Sequence, residues 1–158
     1  MIPEAGFLFA VAAVSMSLAS LAGLVVAFRR SGTWAGHDLY RLRQIVEFGF
    51  ANALFALSLI PLVAVVGSVE NSVRIVATTA LAVLVAHAVV LLRRQRQTSP
   101  VMGLQLPVFL VDLVALALST AAIVVASIPA WEAALLALLA RPMLAFLLVL
   151  STLRAEGG

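Results

Sequence analysis

The chain lacks cysteine altogether. Disulfides, thiolate metal ligands and cysteine nucleophiles are therefore excluded. Lysine is missing too: all ten basic residues are arginine. Together with the abundance of Ala, Val and Leu, that usage is associated with bacterial genomes rich in G and C. Histidine occurs twice, as His37 and His87. Two so separated do not make a haem site or a paired-histidine metal site on one helix. Charge of either sign is scarce, at 11% of residues, where a soluble domain carries about 25%. A chain of 158 residues that is 64% hydrophobic has too few polar groups to cover a surface facing water. It must keep most of that surface in lipid, and its length suits one compact bundle without a separate soluble domain.

The motifs of familiar enzymes are missing as well. There is no GxSxG elbow, HExxH helix, phosphate-binding Walker loop or dinucleotide fingerprint. A lone Asp within an apolar span does not make an intramembrane protease. No catalytic residue, metal ligand or cofactor is expected. The net charge of +3 is read as topology-setting arginine in short loops rather than as a nucleic-acid surface.

What is present is apolar length. A helix crossing about 30 Å of hydrocarbon needs about 20 residues. Five segments qualify: Gly6–Phe28, Ile45–Val66, Val73–Leu92, Pro107–Ile128 and Glu132–Leu153. The expected fold is an all-α integral membrane bundle of five transmembrane helices, a single domain over residues 1–158. The fifth span is the least secure, because it contains Arg141 and Pro142. The only charged side chain ahead of the first span is Glu4. A secretory signal needs a positive start, so this span is read as retained.

The chain is organised around the connector RRSGTWAGHDLYRLRQIVE, from Arg29 to Glu47. Trp34 and Tyr40 suit the membrane interface, where amphipathic rings settle. Asp38 suits an N-cap or first-turn position. Leu39, Leu42 and Val46 share one face of the helix that follows. Arg43 and Glu47 are four apart and form a candidate interfacial pair. The connectors GSVENSVR and SIPAW are short, and SIPAW is read as a tight turn with Trp131 as an anchor and Pro129 just past a helix end. RRQRQTSP carries three arginines. Arg29, Arg30, Arg41, Arg43, Arg93, Arg94 and Arg96 thus fall on one side and Arg74 alone on the other. The positive-inside rule then puts the N-terminus outside and the C-terminus in the cytoplasm, in a bacterial inner membrane. The first and third spans end in VVAFRR and VVLLRR, compatible with two parallel hairpins plus an odd fifth helix.

Polar side chains inside the spans are the candidate functional residues, since ionisable groups at membrane depth cost several kcal/mol unless paired or wetted. Counted along the helices, Asn52, His87, Asp112 and Arg141 reach one level from four helices. Asp112 and Arg141 are the expected ion pair, and His87 the titratable member. The pair fixes how two helices pack, or belongs to a proton relay through Asp112, His87 and Glu47, or these groups face a partner helix from another copy of the chain or a different protein. Ser15, Ala19, Gly23 and Ala27 recur every fourth residue, a small-residue stripe that lets helix backbones approach in lipid. Gly49, Ala53 and Ala56 form a shorter stripe with Asn52 on the same face. The stripes are expected to dock the first two helices on each other, with a dimer interface as the alternative.

The stretch FAVAAVSMSLASLAGLVVAFRR followed by LYRLRQIVEFGFANALFAL, within residues 9–57, resembles uncharacterised small polytopic membrane proteins of bacteria. The resemblance implies a membrane location and a helical bundle and carries no active site. The composite expectation is a non-enzymatic subunit or regulator of a membrane complex. Its partners would be the lipid bilayer, a further copy of the chain or another membrane protein. The alternative is a small ion- or proton-linked transporter or channel component.

Overall fold

The structure, a computed structural model, describes residues 5–28, 36–95 and 106–156. They form five helices: α1 (Ala5–Phe28), α2 (Gly36–Val66), α3 (Val69–Gln95), α4 (Leu106–Val125) and α5 (Ile128–Glu156). No strand occurs among the described residues. Each helix is long and apolar enough to cross a bilayer, so the chain is an all-α, multi-pass membrane protein.

Several helices exceed the apolar stretches that announce them. α2 begins at Gly36, so Asp38 falls in its first turn and the amphipathic segment is one continuous helix with the span. α2 also runs on through Pro61. α4 starts at Leu106 and ends at Val125, three residues before the expected Ile128, and α5 takes up Ile128, Pro129 and Trp131 in its first turns. Pro129 therefore opens a helix instead of following one, a position where its missing N–H costs nothing. Trp34 lies outside the described residues, as do the side chains of His37, Asp38 and Tyr40.

The α2–α3 and α4–α5 turns share one construction. Gly67 (φ 71°) and Ala126 (φ 52°) adopt the left-handed conformation that ends a helix. Each donates its N–H four residues back, Gly67 to the Val63 carbonyl and Ala126 to the Ala122 carbonyl, both at 2.9 Å. A serine follows each. Ser68 Oγ accepts the Asn71 N–H at 3.3 Å, and Ser127 Oγ the Ala130 N–H at 3.4 Å, so each serine caps the next helix.

The helices pack as an arc, α1 to α2 to α3 to α4, with α5 against all four. Among the described residues the α1–α2 contact is the most extensive, and α1 does not meet α4. Half of the α5 span is buried, against 17% for α4. The segment whose Arg and Pro argued against a span is therefore the central post, and the same residues explain why it must be central. A buried guanidinium needs protein around it rather than lipid.

Trp131 is fully buried in the main core, with Leu59, Val73, Val76 and Ala77 in the same cluster. This corrects the expectation of an interfacial anchor, and register supplies the reason. Phe48 and His87 lie nineteen residues on either side of the Gly67–Ser68 turn, whereas Asp112 and Arg141 lie fourteen on either side of Ala126–Ser127. These residues meet at one level, as described below. The α2–α3 hairpin therefore extends about five residues, roughly 7 Å, beyond the α4–α5 turn. The start of α5 is tucked below that rim, and its indole goes into the core.

Candidate functional site

The α4–α5 turn sets the site's first pair. Equal lengths of helix on either side bring Asp112 and Arg141 level, about 21 Å below the turn. Arg141 Nε lies 3.1 Å from Asp112 Oδ1, with side-chain exposures of 4% and 23%. The two atoms are in charge contact without an aligned hydrogen bond between them. Arg141 also lies over the Phe48 ring of α2, its guanidinium carbon 3.7 Å from the ring centroid. In a desolvated setting such stacking contributes up to about 2 kcal/mol. One arginine on the central helix thus engages both α4 and α2.

The α2–α3 turn sets the second pair in the same way. His87 meets Phe48 edge-on, with centroids 4.7 Å apart and rings at 87°. His87 Nε2 is 3.3 Å from Gln44 Nε2. The contact joins α3 to α2, and which nitrogen donates depends on the imidazole tautomer. Phe48 separates the two basic groups, His87 at its edge and Arg141 on its face. Gln44, His87, Phe48, Arg141 and Asp112 form one connected series across α2, α3, α5 and α4.

Asn52 stands apart from that series. Its Nδ2 donates to Ser15 Oγ of α1 at 3.0 Å, in a fully buried setting. Asn52 Oδ1 has no hydrogen-bond partner. The four residues expected as one cluster therefore divide into two locks: Asn52 ties α2 to α1, while Asp112, Arg141 and His87 tie α2, α3, α4 and α5. Beside the Asn52–Ser15 bond the backbones are in close contact. A Cβ on Gly49 would lie 2.8 Å from the Ser15 carbonyl oxygen and 3.1 Å from Ala19 Cβ. Ala53 and Ala56 are buried on the same side of α2.

The small-residue stripe of α1 is used only in part. Ser15 and Ala19 are buried against α2, whereas Gly23 and Ala27 are exposed, and a Cβ on Gly23 would meet nothing within 4 Å. A dimer interface along the whole stripe is therefore not available, because its first half is already occupied inside the protomer. Arg43 Nε donates to Glu47 Oε1 at 2.6 Å, and both side chains are exposed.

Gln44 and Phe48 complete the site and were not among the expected residues. Gln44 lay in the polar connector, and Phe48 is one apolar side chain among many. Their spacing carried a signal: Gln44, Phe48 and Asn52 recur every fourth residue on one face of α2. Beside them α2 and α3 part slightly. A recess of about 140 Å³ opens there, lined by Glu47, Phe48, Ala51, Val83 and His87. No group of three or more His, Asp or Glu side chains able to hold a metal ion occurs among the described residues. No protein-family model, curated protein or solved structure matches the chain.

Proposed function

We propose that this multi-pass protein is a non-enzymatic subunit or regulator of a membrane complex in a bacterial inner membrane. Its N-terminus is outside and its C-terminus cytoplasmic. The observation that supports this best is how the intramembrane polar groups are used. Asp112, Arg141, Asn52 and Ser15 engage one another between helices, which fixes a bundle instead of lining a passage. The outward surface is apolar, with Phe109, Leu110, Leu113 and Val114 on α4 and Leu136, Met143, Leu147 and Leu150 on α5 all exposed. Such faces suit lipid or a neighbouring transmembrane helix. The arginine asymmetry supports the orientation, since Arg41, Arg43, Arg93 and Arg94 gather at the end of the α2–α3 hairpin opposite its turn.

The test is isolation in mild detergent after in-membrane crosslinking from Leu113 on α4 and Leu147 on α5. A defined neighbour, either another membrane protein or a second copy, is the expected result. Lipid adducts alone at both positions overturn the subunit reading. A second reading, a proton-linked carrier, has one observation in its favour: the recess reaches His87 with Glu47 at its edge. Proton flux in liposomes that Asp112→Asn alters would establish it in place of the first.

A further inference from the structure

Beyond the recess, a smaller cavity lies between α2, α3 and α5. Asn52 and Phe55 of α2, Ala80 and Leu84 of α3, and Leu138 of α5 line it. Its volume of about 10 Å³ is the room that one water molecule needs. Asn52 is 2% exposed, and its Oδ1 has no hydrogen-bond partner. Its Nδ2 is held by Ser15 of α1. No α1 residue lines the cavity, and the two ends of a planar amide diverge, so Oδ1 is the end left for it. A second acceptor comes from α5. In a helix the Leu138 carbonyl takes its hydrogen from the residue four further on. That residue is Pro142, which has no N–H to give. Leu138 and Pro142 are both buried, one turn apart on the same face. Asn52 is fifteen residues from Gly67, and Leu138 twelve from Ala126. With the α4–α5 turn about 7 Å lower, both lie roughly 22–25 Å below the α2–α3 turn. In lipid a carbonyl freed by proline is satisfied by a neighbouring side chain or by ordered water. The side chains that line the cavity with Asn52 are all apolar.

We propose that this cavity is the site of one ordered water that donates to Asn52 Oδ1 and to the Leu138 carbonyl. Two acceptors beside one small space call for a molecule with two donors, and water has two O–H groups. The lining carries no formal charge, so nothing there offsets the desolvation of a cation. A space of this size admits no larger donor. Such a bridge holds almost as well as a direct hydrogen bond. It joins α2 to α5 from the end of the Asn52 amide that Ser15 does not use. The α1–α2 lock is thereby tied to the central post. Pro142 is accommodated beside Arg141 because the water takes the place of its missing N–H. This assignment is independent of the subunit and carrier readings, since the site is internal to the bundle.

The test uses the full chain in lipid bilayers, labelled at asparagine and read by water-edited solid-state NMR. The sequence has two asparagines, Asn52 and Asn71, and the exposed Asn71 serves as the reference for bulk water. The buried Asn52 side-chain amide is expected to show a cross-peak to water. Ala51→Leu should abolish it by filling the space, while the Asn71 signal stays unchanged. Ser15→Ala should keep it, because its source is the water and not the neighbouring hydroxyl. The link to α5 is read by reversible unfolding in mixed micelles. Pro142→Ala restores an N–H to the Leu138 carbonyl, so Asn52→Val should then cost less than in the wild-type chain. The expected difference is about fivefold in the unfolding equilibrium constant, the scale of one hydrogen bond. No water cross-peak at Asn52, a cross-peak that survives Ala51→Leu or is lost in Ser15→Ala, or equal costs of Asn52→Val in the two backgrounds each overturns the assignment.

Discussion

The bundle contains two interhelical locks, and they solve the same problem by opposite means. The α1–α2 lock is neutral and close. Gly49 lets the backbones touch, and the Asn52–Ser15 hydrogen bond sits in the contact. The lock on α5 is charged and spread, with Arg141 meeting Asp112 on one side and the Phe48 ring on the other. In lipid, apolar helices gain no hydrophobic energy by meeting one another. Close backbone contact rewards small residues, and a charge pair rewards correct partnering by penalising every alternative. The first lock supplies extensive packing between neighbours in sequence. The second fixes which helices surround the central post.

Mutations that treat the two locks alike should therefore give unlike results. The largest effect is expected from Asp112→Ala, which removes the carboxylate beside a buried guanidinium. Removing one partner of a buried pair costs about 3–5 kcal/mol. Equilibrium unfolding in mixed micelles should show it, and a change under about 1 kcal/mol would mean that Arg141 finds water or lipid phosphate instead. Gly49→Val should come next, at about 2 kcal/mol, the usual cost of forcing extra carbon into a packed contact. The same assay should register the loss, with reduced crosslinking between α1 and α2. Asn52→Ala removes one hydrogen bond between helices and should cost about 1 kcal/mol, within the range of such bonds in membranes. If Asn52→Ala proved costlier than Gly49→Val, the α1–α2 lock would be polar in origin and the contrast between the two would collapse.

The smallest expected effect reaches the turns. Ala126 holds a left-handed conformation that Gly67 holds in the equivalent turn. Ala126→Gly should raise the melting temperature by the equivalent of somewhat under 1 kcal/mol, and Gly67→Ala should lower it by a similar amount. Opposite signs at matched positions would show that both turns carry the same backbone demand.

Much of this architecture was readable from the sequence, and the reasons are physical. Apolar length alone identified five spans, because lipid demands about 20 residues per crossing. The four-residue spacing of Ser15 with Ala19, and of Gly49 with Ala53, identified the α1–α2 contact. Asp112 and Arg141 stood out because charge at that depth requires a partner. What could not be read was lateral arrangement. Periodicity gives a helix its faces but not its neighbours, so α5 looked like the weakest span and is the central one. Asn52 and His87 shared a level, yet level alone does not say that Phe48 and Gln44 stand beside one and Ser15 beside the other. Trp131 was misjudged because its depth depends on how far the α2–α3 hairpin rises above the next turn, which requires the Phe48–Arg141 contact to be known.

The central claim is that Asp112 and Arg141 act as one unit holding α4 and α5 together. The direct measurement is a double-mutant cycle with Asp112→Leu, Arg141→Leu and the combined variant, read by reversible unfolding in mixed micelles. The account predicts that each single change is strongly destabilising and that the double variant regains most of the loss, because a well-packed apolar pair replaces a buried ion pair at little or no net cost. Losses that simply add in the double variant would contradict it.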